Sequence, residues 1–146
     1  MALFNIFNIA GSGMAAESVR LNTVASNLAN ADSVSNSPTT AYKARYPVFQ
    51  AVQASLLGPG AGSPTTQAAD ASVQVNGIVQ STAPAIARYE PGNPMADAKG
   101  YVYSSNVNPV EQMVDMISAS RSYQNDAQVV QTSTQLMLDT LKLGQI

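Results

Sequence analysis

The segment that most restricts the fold is the run from Asn108 to Gly144, which reads as one uninterrupted helix. Asn108 can cap its start, and Pro109 suits the first helical position, where an N–H would lack a partner anyway. Glu111 stands where a capping box places its carboxylate. Lys142 falls in the last turn, next to the carbonyl end of the helix dipole, and Gly144 stands just past it. About 35 residues at 1.5 Å each span roughly 50 Å, too long for a small sheet to cover. Within the run Met116, Tyr123, Val130 and Met137 form one heptad series, with Ile117 alongside. Met113, Ser120, Ala127, Thr134 and Leu141 form a second. Two interleaved heptad series predict a coiled-coil-like seam, large on one side and mostly small on the other.

The other end of the chain carries a matching repeat. Phe7, Met14, Leu21 and Leu28 make one series, and Leu3, Ala10, Glu17, Val24 and Ala31 make the next. Glu17 and Arg20, an i,i+3 pair, are the only charges in this stretch. Each Gly of "GSG" at 11–13 costs a helix about 1 kcal/mol relative to Ala. The pattern therefore predicts a firm helix over about 14–30 and a frayed or hinged segment before it. The expected fold class is α+β: long N- and C-terminal helices, 1–31 and 108–146, packed parallel or antiparallel as a coiled-coil-like pair. A small β-rich domain is inserted between them.

Residues 32–71 hold clustered Ser, Thr, Pro and Gly, as in "DSVSNSPTT" and "GPGAGSPTTQ", and read as a loop or linker arm. Between those clusters "YKARYPVFQAV" offers aromatics that could dock, with Pro47 restricting it to an edge or extended conformation. A surface loop and an arm reaching a neighbouring molecule both fit. Over 72–107 the period becomes two: Val73 and Val75 alternate with polar residues, and "NG" at 76–77 signals a turn or bulge. "AIARY" and "GYVYS" are short β-type runs around "EPGNPMADAK". Three or four strands are expected there.

Chemistry is scarce. The chain has no Cys, so disulfides and thiolates are excluded, and no His, the commonest general base and metal ligand. Glu90 and Asp97 are the only arguable carboxylate pair, in a turn-rich loop that a solvated hairpin tip explains as well. No enzyme activity, cofactor or metal is expected. A net charge of -2 gives no reason to expect nucleic acid, and no apolar run approaches the roughly 18 residues of a membrane span. The N-terminus has no charge before Glu17 and no Lys or Arg before Arg20, unlike a secretory signal. Charged residues make up 11%, against about 25% in ordinary soluble domains. Helix backs coated in Ser, Ala, Gln and Asn imply neighbours on more than one side. Arg121 and Asp126 could be solvated or could pair with adjacent subunits, as could Glu17 and Arg20.

Two stretches resemble a known family. "RLNTVASNLANADS" at 20–33 looks like the N-terminal signature of flagellar axial proteins, and "RYEPGNPMADAKGYVYSSNVNPVEQMVDMISASRSYQND" at 88–126 is similar to the second half of proximal rod subunits. Asn93 and Ser105 depart from the His and Pro of that pattern. The chain is identified as a member of the proximal rod family of the flagellar basal body. That resemblance implies subunits stacked helically into a torque-transmitting drive-shaft across the periplasm. It implies export from the cytoplasm by the flagellar type III apparatus. Implied partners are further copies, other rod subunits, and rod-base and MS-ring-side components. Phe7, Met14, Leu21, Val24, Leu28, Met113, Met116, Ile117, Tyr123, Val130, Met137 and Leu141 would then be the subunit-packing residues. A different rod subunit, or a helical adaptor forming a finite complex, are the alternatives.

Overall fold

The computed structural model describes residues 2–53 and 71–144. Helix α1 spans Ala2–Ala29 and helix α2 Pro109–Leu143. Between them come strands β1 (Val34–Ser35), β2 (Arg45–Gln53), β3 (Ala71–Gln80), β4 (Ile86–Tyr89) and β5 (Tyr101–Ser104). The class is α+β, with a small sheet region between two terminal helices.

The ends of α2 follow from its punctuation. Asn108 has extended backbone and its Oδ1 accepts from Val110 N–H at 3.1 Å. The reciprocal bond from Glu111 that a full capping box requires is not made among the described residues. At the far end the Gly144 N–H donates to Thr140 O at 3.2 Å. Helix α1 departs from expectation, since it runs unbroken through Gly11-Ser12-Gly13. Tertiary contacts outweigh the propensity deficit there. Ser12 Oγ donates to Ile9 O at 2.8 Å and accepts from Val73 N–H at 3.1 Å, tying the helix to β3. Gly13 lies against α2, where a Cβ would stand 2.7 Å from Asp126 Oδ2.

The helices are antiparallel. Gly13 meets Asp126, Arg20 bonds Asp115 and Asn27 bonds Gln112, so positions ascend on one helix as they descend on the other.

The segment read as a loop or linker, 32–71, contains strands β1 and β2, and the strands of 72–107 belong to two sheets rather than one. Strand β2 pairs antiparallel with β3 from Arg45↔Gln80 to Gln53↔Ala71, forming a ribbon against α1. Pro47 is accommodated because a two-stranded ribbon is all edge. At "NG" the register slips: Val48 faces Gly77 and Phe49 faces Val75, leaving Asn76 as the extra residue of a bulge. The other sheet has the order β1-β5-β4, both pairs antiparallel. It closes on the tight loop between Tyr89 and Tyr101, where Gly100 has φ 82° and a Cβ would stand 2.9 Å from the Tyr89 ring. Only glycine meets both conditions at low cost.

Candidate functional site

The distribution of side chains between inside and outside is inverted relative to an ordinary domain. The largest fully buried side chains are Gln112, Val102 and Asn27. Among the described residues the cluster at the core holds Ala31, Ala44 and Val107, with Tyr42 packed on it. Large apolar residues lie outside: Val114 is 62% exposed, Ile117 56%, Leu136 55% and Leu141 65%. Each such side chain is worth about 1.5–3 kcal/mol once fully buried, and the chain on its own leaves that unrealised.

The seam read from sequence is the main correction to the site. On α2 the stripe turned to α1 is Gln112, Ala119, Asp126 and Ser133, spaced by heptads but one position before the predicted Met113 series. Three of these four are buried, and Asp126 is half-buried against Gly13. Met113, Ile117, Tyr123 and Leu141 are exposed, and Met116, Val130 and Met137 are half-buried beside the stripe. On α1 Val24 is buried, while Phe7, Met14, Leu21 and Leu28 are half-buried. Small residues carry the contact inside the chain, and the large ones line its flanks and outer faces.

Of the four predicted polar positions, Glu17 and Arg20 are brought together at 3.8 Å. The shorter partner of Arg20 is Asp115, at 3.1 Å, which the sequence reading did not single out. Both side chains of that pair are about a third exposed, so it contributes about 0–1 kcal/mol. Arg121 is exposed and has no ion-pair partner among the described residues.

Two residues absent from the predicted set organise the junction of helices and ribbon. Asn27, fully buried, donates from Nδ2 to Arg45 O at 2.8 Å and to Gln112 Oε1 at 2.9 Å. Its Oδ1 accepts from Arg45 N–H at 2.9 Å and from Tyr42 O–H at 3.0 Å. Every hydrogen-bonding site of the amide is used. Gln112 is 1% exposed and its Nε2 makes no hydrogen bond with the described residues, a cost of about 1–3 kcal/mol. Asn27 falls in neither of the heptad series read along α1, so the pattern gave no signal for it. Beside Asn22 and Asn30 it looked like one of several polar residues.

The ribbon stands off the helix pair and leaves an open cleft of about 450 Å³ lined by Ile9, Gly13, Ala16, Glu17, Phe49 and Val73. Burial raises the Tyr46 phenol above its ordinary range, with Glu111 and Asp115 adding to the effect.

The arguable carboxylate pair is committed to holding a loop. Glu90 receives Arg88 at 3.1 Å and Asn93 Nδ2 at 3.1 Å. Asp97 Oδ1 accepts from Tyr101 N–H at 2.9 Å and Lys99 N–H at 2.8 Å. The backbone bond from Tyr101, ahead of the other contacts, holds the Asp97 carboxyl below its ordinary value. Asn93, a departure from the family pattern, also accepts from Met95 N–H. Ser105, the other, is buried with its Oγ accepting from Val107 N–H. Among the described residues no three potential metal ligands gather, and no helix is long and apolar enough to cross a membrane.

Comparison with known proteins places these features in context. Residues 7–37 match the family described as "Flagella basal body rod protein", and residues 98–143 match "Flagellar basal body rod FlgEFG protein C-terminal". The "Flagellar basal-body rod protein FlgC" of Escherichia coli O157:H7 is 51% identical over 145 residues, covering 99% of this chain and all of that protein. Its counterpart in Salmonella typhimurium is 50% identical over the same shares. That of Buchnera aphidicola subsp. Acyrthosiphon pisum is 40% identical over 147 residues, with 99% and 100% covered.

Proposed function

The chain belongs to the FlgC family of flagellar basal-body rod proteins, and from that premise we propose that it polymerises helically through the outer faces of α1 and α2 into the proximal rod. It is a structural subunit, not an enzyme, and assembles with other rod and basal-body components. The observation that carries the proposal is the inversion of the chain: polar Asn27 and Gln112 inside, Val114, Ile117, Leu136 and Leu141 outside. Large apolar surface left bare on one chain marks a protein interaction site, and here it runs along α2, with Ile6 and Ile9 near the start of α1.

In this reading the coiled-coil-like seam expected from Met113, Met116, Tyr123, Val130, Met137 and Leu141 forms between subunits. The small-residue stripe serves the contact within one. The segments 1–31 and 108–146 make the rod core, and 32–107 carries the linker arm and β-rich part on its outside. Arg121 finds its partner across a subunit boundary. The resulting shaft spans the periplasm and transmits motor torque, with further copies, other rod subunits, and rod-base and MS-ring-side components as neighbours. The chain leaves the cytoplasm through the flagellar type III apparatus, a passage eased by having no disulfide to reduce.

Ile117→Lys tests the proposal. At an exposed position it shifts the stability of the isolated chain by no more than about 0.5 kcal/mol, but it places an unpaired charge in a packed interface. The expected result is a folded variant absent from purified basal bodies and cells that do not swim. Incorporation at the ordinary level with normal swimming would refute it.

A further inference from the structure

We propose that the buried Asn27–Gln112 bond is a register lock: it selects one longitudinal alignment of α1 against α2 before any neighbouring subunit is present. The need for one arises from the seam itself. Along α2 the residues facing α1 are Gln112, Ala119, Asp126 and Ser133, separated by whole heptads and mostly small. Sliding α2 by one heptad would put Ala119 where Gln112 stands, with little change in packing between the helices themselves, although Val107 just before α2 would leave Ala31 and Ala44. A seam of repeated small residues discriminates poorly between such alignments. A buried amide discriminates better, because another register strips Asn27 Nδ2 of its acceptor on α2.

Three contacts between the helices mark the observed register, beside the packing of Val107 on Ala31 and Ala44 that precedes α2, and they differ in strength. Gly13 against Asp126 permits close approach without holding it, since Gly13 offers no side chain. Arg20–Asp115 is partly solvated, and a flexible pair of that kind can re-form elsewhere. Asn27 alone is fully buried and fully bonded, to Gln112 on α2 and to Tyr42 and Arg45 on the segment leading into β2. A heptad slip would remove the Gln112 acceptor from Asn27 Nδ2. The unpartnered Gln112 Nε2 points the same way. An apolar side chain at 112 would exchange that unsatisfied donor for one on Asn27 Nδ2, so the amide adds little net stability and contributes more to choosing an arrangement.

Because the chain has no Cys, register can be read by disulfide formation in the purified full-length protein. Gly13→Cys with Asp126→Cys reports the observed alignment. Gly13→Cys with Ser133→Cys and Asp126→Ala reports the slipped one, lying seven residues or about 10 Å further along α2, beyond the roughly 7 Å that a disulfide bridges. In the otherwise unchanged chain the first pair should close and the second should not. Adding Gln112→Leu, which keeps three of the four Asn27 bonds, should raise closure of the second pair to within about tenfold of the first, with helical circular dichroism retained. Asn27→Leu should do the same more strongly. Closure confined to the first pair in the Gln112→Leu protein would overturn the lock. So would failure of the first pair to close in the unchanged chain, or loss of helical signal in Gln112→Leu, which would make the residue a plain stabiliser.

Discussion

The two ends of the helix pair are built on opposite principles. At the junction Asn27, Ala31, Ala44, Val102, Val107, Gln112 and Ala119 are buried, and four hydrogen bonds converge on one amide. At the far end, α1 before Gly13 and α2 after Asp126, only Ala10 and Ser133 are buried among the residues whose side chains are described. Ile6, Ile9, Val129, Leu136, Leu138 and Leu141 lie open. The junction closes on itself with small and polar groups. The far end, together with the outer face of α2 at Val110, Val114 and Ile117, holds its large apolar groups for other chains. A rod subunit needs both: one region that fixes its shape alone, and one whose stability comes from the polymer.

That contrast can be broken most severely at Asn27. Asn27→Leu takes partners from Arg45 N–H and C=O and from the buried Gln112 Oε1, while the Tyr42 hydroxyl keeps Ser26 Oγ, and with at least two groups losing partners at about 1–3 kcal/mol each the expected loss is about 2 kcal/mol or more. Urea unfolding of the full-length chain reads it, and a loss below about 1 kcal/mol would remove the amide from its central place. A paired comparison probes the two ends next. Ala119→Leu overpacks a position with no exposure and should destabilise the isolated chain by about 1–3 kcal/mol. Leu138→Ala, at a position 51% exposed, should leave that stability within about 0.5 kcal/mol yet lower incorporation into basal bodies. Equal effects of the two on the isolated chain would erase the distinction.

The smallest effect lies in the loop around Asp97. Its folded-state pKa is depressed, so its contribution is present above the unfolded value near 3.8 and is lost as pH falls through the lower, folded value. Amide resonances of Lys99 and Tyr101 should titrate with a midpoint below 3.8 while helical circular dichroism from α1 and α2 stays unchanged. A midpoint at or above 3.8 would mean the loop does not hold the carboxylate as its bonds suggest.

The sequence was most readable where local chemistry decides. Asn108, Pro109 and Gly144 marked the limits of α2, and "NG" marked the bulge in β3. It was least readable where partners are distant. Periodicity says that Met113, Tyr123 and Leu141 share an apolar face, but not whether that face meets the same chain or another. The larger residues looked like the internal seam, whereas the small and polar stripe one position earlier occupies it. Strand β2 was hidden by Pro47 and by the loop-like composition on either side. Asn27 could not be recognised because its bonds go to the backbone of Arg45, whose position depends on the ribbon folding against α1. The unbroken α1 shows the same dependence: Gly11 and Gly13 weaken a helix in isolation, and the contacts at this point, Gly13 against Asp126 and Ser12 with Val73, come from α2 and β3.

Amide hydrogen exchange of the full-length chain, followed residue by residue before and after assembly, tests the central claim most directly. In the isolated chain, protection should concentrate in residues 24–31, 41–45 and 102–119. Amides of α1 before Gly13 and of α2 after Asp126 should exchange at least about a hundredfold faster and become protected on incorporation into the rod. Uniform slow exchange along both helices of the isolated chain, or a junction that exchanges as fast as the far end, would contradict the account.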